Sequence, residues 1–169
     1  MSTAYIALGA SLPFEGKPPQ ATLARALDAM SAAGFPAHAR SGLWRSPAWP
    51  PSDQPDYYNA VAAIYTGGLS PQALYEVLHR IEEHSGRERR KRWAARTLDL
   101  DLLAIDALNG DFGGIELPHP RMHERAFVLA PLAEIAPDWR HPGLGVTTAD
   151  LLATLPEGQI ERVGSLAAG

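Results

Sequence analysis

An α+β fold is predicted from three observations on this 169-residue chain. Short apolar runs bounded by glycine and proline alternate with two helical stretches. Their order is β-α-β-β-α-β, and a set of short elements is added after the last of them. That order is the split βαβ, or ferredoxin-like, arrangement, with an antiparallel sheet, helices packed on it and C-terminal additions. The length suits a single domain, 1–169, with a sizeable core.

Residues 5–8, Tyr-Ile-Ala-Leu, read as a first strand ending at Gly9, and 13–19 as a loop. A helix is predicted over 20–33, with Leu23, Leu27 and Met30 on one face and Gly34 as its stop. A second strand is expected between 35 and 45. Residues 46–56 contain four prolines and cannot form a regular element. A third strand covers 57–66 and is broken by Gly67 and Gly68. The clearest helix comes next: Ser70 caps it, Pro71 takes its first position, Leu74, Val77, Leu78 and Ile81 recur at helical spacing, and Gly86 ends it. The strand 97–105 comes after a cationic loop. A hairpin turn is expected around Asn109-Gly110 and Gly113-Gly114, with 115–117 as the returning strand. Pro118-His119-Pro120 is a fixed bend. Helix is expected over 124–135 with an interruption at Pro131, then a short helix over 148–155 and a fraying Gly/Ala-rich tail.

The net charge of −4 argues against bulk nucleic-acid binding, yet six of the 15 basic residues lie between Arg87 and Arg96. There is no cysteine, which excludes disulfides and thiolate chemistry. No targeting run or membrane span is evident, so a cytoplasmic protein is expected.

The chemistry concentrates in 92–103, Arg-Trp-Ala-Ala-Arg-Thr-Leu-Asp-Leu-Asp-Leu-Leu. Asp99 and Asp101 share one face of a leucine-rich strand. Two like charges so close require a cation, and Mg²⁺ prefers one or two carboxylates with substrate phosphates completing its shell. The arginines before the pair suit a polyphosphate. Tyr57 and Asn59 share a face of another strand, an aromatic beside an amide, which suits a flat heterocycle. The His119/His123 spacing lacks a third zinc ligand, and a phosphate-facing role for His119 and Arg125 is the better reading. The Gly9 to Lys17 region does not match a phosphate-binding P-loop, because the glycines are too far apart and Pro18 replaces the hydroxyl residue.

With these motifs in place, the chain resembles the 6-hydroxymethyl-7,8-dihydropterin pyrophosphokinase family of folate biosynthesis. The resemblance rests on 5–9, 53–60, 92–103, 117–129 and 131–137, in that order. It implies transfer of diphosphate from MgATP to the pterin's hydroxymethyl group, releasing AMP. Asp99 and Asp101 would bind two Mg²⁺ ions. Arg87, Arg92 and Arg96 would act on the transferring phosphates. Ser46, Pro47 and Trp49 would line the pterin pocket, with Tyr57 and Phe127 sandwiching the ring and Asn59 reading its edge. Glu82, Arg89, Trp93, Leu102, His119 and Arg125 would contact ATP. Ala10 and Ser11 depart from the usual Gly-Ser-Asn-Leu, and Gly114 and Pro120 fall where some members carry a basic and an aromatic residue. A monomer is expected, with room for weak association with other folate enzymes. Two rival readings are a single-stranded nucleic-acid binding module and a catalytically weakened homologue.

Overall fold

The computed structural model describes residues 1–12, 15–47, 56–84, 97–156 and 160–166. Among the described residues, eight strands and four α-helices run in the order β1 (Thr3–Ala10), α1 (Pro19–Ala32), β2 (Ala37–Arg40), β3 (Leu43–Ser46), β4 (Tyr57–Tyr65), α2 (Pro71–His84), β5 (Asp99–Ile105), β6 (Gly110–Phe112), β7 (Ile115–Leu117), α3 (Ala126–Ile135), α4 (Thr148–Ala153) and β8 (Glu161–Gly164). The main sheet has the order β5-β1-β4-β3-β8, with β2 also pairing with β4. All of its ladders are antiparallel. The mixed α/β architecture and its antiparallel sheet are as the sequence predicts.

Local chemistry explains where α2 begins and where α1 ends; Gly86, the expected stop of α2, lies outside the described residues. Ser70 Oγ accepts the Ala73 N–H at 3.2 Å, the expected cap of α2. At the end of α1, Gly34 has φ +97°. Its N–H donates to Ser31 O at 3.0 Å and the Phe35 N–H to Met30 O at 2.8 Å. This paired closure is a Schellman motif, which favours glycine because the position is left-handed.

Alternation along the strands divides the core into two faces. Ile6 and Leu8 of β1, Ala62 and Ile64 of β4 and Leu100 and Leu102 of β5 pack with Leu23, Leu27, Leu74 and Leu78 of α1 and α2. Each fully buried leucine contributes roughly 1.5–3 kcal/mol of transfer free energy. On the opposite face, Val61 and Leu103 meet Met122, Val128 and Leu132, with Tyr5, Ala7 and Trp139 packed around them. The sheet is therefore covered on both sides, and α3 is the element that covers the second.

Four expectations need correction. The single strand expected over 35–45 is two strands, β2 and β3. Between them Ser41 is buried, its N–H bonds to Val61 O and its Oγ accepts the Val61 N–H at 2.9 Å. A side-chain hydroxyl thus replaces a ladder carbonyl and shifts the chain. Pro131 does not interrupt α3, which runs through it with the proline buried. The turn at Gly113 and Gly114, with φ +69° and +94°, and the strand over 115–117 are as expected, but β7 returns against the short β6 in a separate hairpin and not along the main sheet. The tail does not simply fray, because β8 adds to the sheet beside β3. Glu134 of α3 secures that edge by accepting from Gly42 N–H, Trp44 Nε1 and Arg162 Nε. No helix among the described residues is long and apolar enough to cross a membrane.

Candidate active site

Strand register assembles the site. On the α3 side of the sheet, one row across the strands reads Trp44, Asn59, Gly9, Asp99. The next row reads Val61, Ala7, Asp101. With strands about 4.8 Å apart, Asn59 and Asp99 stand roughly 10 Å from one another across Gly9. Two small residues of that face, Gly9 and Ala7, lie between the amide on one flank and the carboxylates on the other. A low floor with polar walls results. The α3 helix covers the adjoining apolar rows but leaves this end of the sheet open.

The space above that floor is a cavity of about 490 Å³. Asn59, Tyr57 and Pro47 line one side, Asp99 and Asp101 the other, and Phe127, Arg125 and Arg121 complete it from the start of α3 and the turn before it. Asn59 is buried, and its Nδ2 donates to Ser46 Oγ at 3.1 Å. That bond fixes which way the amide faces and leaves its carbonyl oxygen toward Gly9, where a Cβ would lie 3.4 Å away. Phe127 is 37% exposed although it is a large apolar residue, because it faces the cavity rather than the core. The Arg125 guanidinium carbon lies 5.5 Å from the centre of its ring, a cation–π contact. Asp101 is exposed and Asp99 half-buried. Among the described residues no group of three or more His, Asp or Glu side chains converges on a metal position. The donor set at this point is two carboxylates on one strand face, which fits Mg²⁺ sharing its shell with phosphates and water, not a metal enclosed by protein.

The remaining site candidates are distributed differently. Leu102 is buried in the core on the opposite face of the sheet, and Glu82 is buried on α2. His119 lines a neighbouring cleft of about 310 Å³ with Glu116, His123 and His141. Trp49, Arg87, Arg89, Arg92, Trp93 and Arg96 lie outside the described residues. Ala7, Gly9 and Arg121 are site residues that sequence reasoning misses. A pair of small residues at alternate positions of β1 is the available signal for the first two, but its meaning depends on which strands flank it.

Burial lowers the pKa of His119, and the Arg125 and Arg121 charges lower it further, while Asp101 and Glu116 pull it up. Its Nδ1 accepts the Arg121 N–H at 3.3 Å, as a neutral imidazole must. His141 is lowered too, by burial and by His123, with its own backbone hydrogen bond opposing. Its Nδ1 accepts from the Gly143 and Leu144 N–H groups, both at 3.1 Å. Both imidazoles should titrate below about 6.5 in an NMR titration. The unfolded chain then binds more protons as pH falls. The stability these two groups supply is complete above about pH 6.5 and is lost as pH falls through their folded values. Titration of either ring above that reference contradicts the assignment.

Comparison with known proteins decides the family. The sequence model described as 7,8-dihydro-6-hydroxymethylpterin-pyrophosphokinase (HPPK) matches residues 5–137. The chain belongs to the HPPK family. It is 41% identical over 164 residues to the 2-amino-4-hydroxy-6-hydroxymethyldihydropteridine pyrophosphokinase of Methylorubrum extorquens, covering 96% of this chain and 99% of that one. Identity to the Haemophilus influenzae enzyme of the same name is 43% over 149 residues, with 88% and 90% covered. The solved HPPK-DHPS of Plasmodium falciparum shares the fold at a TM-score of 0.68 and 13% identity. That match covers 90% of this chain and 44% of the longer polypeptide. As an HPPK, the chain is a transferase of folate synthesis, moving diphosphate from ATP to the hydroxymethyl group of the dihydropterin. The nucleic-acid reading is not favoured.

Proposed function

We propose that the 490 Å³ cavity is where the two substrates of this HPPK meet, and that the whole chain acts as one cytoplasmic domain of this kind. The observation that carries the reading is the gathering of Asp99, Asp101, Tyr57, Asn59, Phe127 and Arg125 around one space from β5, β4 and the start of α3. Tyr57 and Phe127 supply stacking area for the pterin, and Asn59, oriented by Ser46 beside Pro47, reads its polar edge. Asp99 and Asp101 hold Mg²⁺, in our reading two ions. Bound there, Mg²⁺ would neutralise phosphate charge and acidify the attacking hydroxyl.

Little covalent work falls to the protein. Stacking holds the hydroxymethyl group toward the carboxylate side of the row, so the nucleophile is oriented before the nucleotide reacts. Arg125 lines the cavity beside the Phe127 ring, where a guanidinium stabilises charge that develops as the β-phosphorus changes partners. Arg87, Arg92 and Arg96 are proposed to add to that stabilisation, with Arg89, Trp93, Glu82 and His119 on the nucleotide side and Trp49 on the pterin side, while Leu102, buried on the other face of the sheet, only supports the strand that carries the carboxylates. A monomer suffices for this chemistry.

The test is AMP release from MgATP with and without 6-hydroxymethyl-7,8-dihydropterin. AMP that depends on the pterin is expected from the wild-type chain, and ADP would contradict the reaction. In Phe127→Ala the Michaelis constant for the pterin should rise about tenfold or more, the scale of a lost aromatic stack. Because Phe127 is already partly exposed, its thermal midpoint should barely move. A folded Phe127→Ala with an unaltered pterin constant would place the ring elsewhere.

A further inference from the structure

Arg121 lines the same cavity as Asp99, Asp101 and Arg125, yet neither pterin stacking nor metal binding uses it. Its main chain is held firmly. The Arg121 N–H donates to His119 Nδ1, and the Glu124 N–H returns to the Arg121 carbonyl at 3.1 Å. The side chain beyond that anchor is 68% exposed, and its Nε lies 3.9 Å from Glu124 Oε2. An exposed ion pair at that distance holds a guanidinium weakly, so a stronger anion can replace the carboxylate.

The surroundings indicate which anion. Arg125 has part of its cationic face turned to the Phe127 ring. Arg121 and Arg125 line this cavity together with Asp99 and Asp101, so two guanidinium-bearing residues share it with the pair of carboxylates. A neutral heterocycle stacked on the aromatic side gains little from a full positive charge there. A polyphosphate gains a great deal, since an arginine fork matches phosphate oxygens in pairs.

We propose that Arg121 binds the polyphosphate of MgATP, releasing Glu124 when the nucleotide arrives. The proposal rests on the cavity being the substrate site. It makes Arg121 a substrate-binding residue of this chain, supplied by the turn that also sets His119 and leads into α3.

Three ligands distinguish the contact: a non-hydrolysable MgATP analogue, inorganic tripolyphosphate with Mg²⁺, and the pterin. In full-length Arg121→Ala, affinity for the first two should fall by a common factor of about ten, as expected for a lost charge-assisted contact, with pterin affinity unchanged. Arg121→Lys, which keeps the charge without the fork, should recover part of the loss. Unchanged affinity for both phosphate ligands in folded Arg121→Ala overturns the proposal. So does a loss confined to the nucleotide, which would mean a contact with the nucleoside, or an equal loss for the pterin, which would mean a structural role. Asp101→Ala separates this failure from failure of the site itself. If Asp101→Ala turns over normally, the cavity reading falls; if Asp101→Ala is impaired while Arg121→Ala binds normally, Arg121 alone is removed from it.

Discussion

Asp101→Ala should lower turnover about 100-fold or more while leaving the protein folded. The magnitude is that of removing a preorganised electrostatic contact from a phosphoryl-transfer transition state, where the protein supplies charge and position and little else. The fold should tolerate the change because Asp101 is exposed at the cavity, and its strand is held by Leu100, Leu102 and Leu103 on either side. Removing one of two like charges a single pleat apart also relieves repulsion, so the thermal midpoint should hold or rise slightly. Asp101→Asn distinguishes charge from shape: it keeps the volume and an oxygen acceptor but not the anion, and should be almost as impaired. Turnover and thermal melting on the same preparations decide the matter. A folded Asp101→Ala with wild-type turnover would remove the metal assignment and with it the reason for two acids in a leucine strand.

Elements whose signal is local were legible in the sequence. The α2 helix has its cap, its first-turn proline and its leucines within one stretch of chain, and the structure buries Leu74, Leu78 and Ile81 as that spacing requires. The Asp99/Asp101 and Tyr57/Asn59 pairs were legible for the same reason, since the two-residue period of a strand alone puts each pair on one face. Features set by distant partners were not. The break between β2 and β3 depends on a buried serine hydroxyl meeting Val61, twenty residues away. The β8 strand has only four residues, with Val163 39% exposed, and is held through Arg162 to Glu134. Nothing within 161–164 announces that. Pro131 reads as a helix breaker because propensity ignores burial, yet α3 stays helical where it packs between the sheet and α4. Phe127 entered through the family resemblance, because a lone phenylalanine at a helix start carries no sign of facing a cavity. Arg121 and Gly9 had no such route, since their places depend on which strands and turns meet.

Gly9 provides the strongest test of how the floor of the cavity works. A glycine inside a central strand costs about 0.5–1 kcal/mol relative to alanine, so its presence between β4 and β5 calls for a reason. Conformation is not the reason, because Gly9 is not among the residues with positive φ and any L-residue can adopt its extended backbone. Space is. The nearest atoms to an added Cβ would be Asn59 Oδ1 at 3.4 Å and Tyr58 O at 3.9 Å, ordinary contacts that alanine can make. A longer side chain would project from that Cβ into the volume between Asn59 and the carboxylates. Gly9→Leu should therefore fold, with a melting temperature at or above that of the wild type, since a strand glycine is replaced and the unfolded chain loses freedom. Pterin affinity, read by calorimetry, should fall about 100-fold as the leucine takes the place of the ring, a loss of roughly 2.7 kcal/mol. Gly9→Ala should fall between the two. A folded Gly9→Leu that binds the pterin as tightly as the wild type would show that the ring does not lie over this row, and would move the acceptor site away from Asn59.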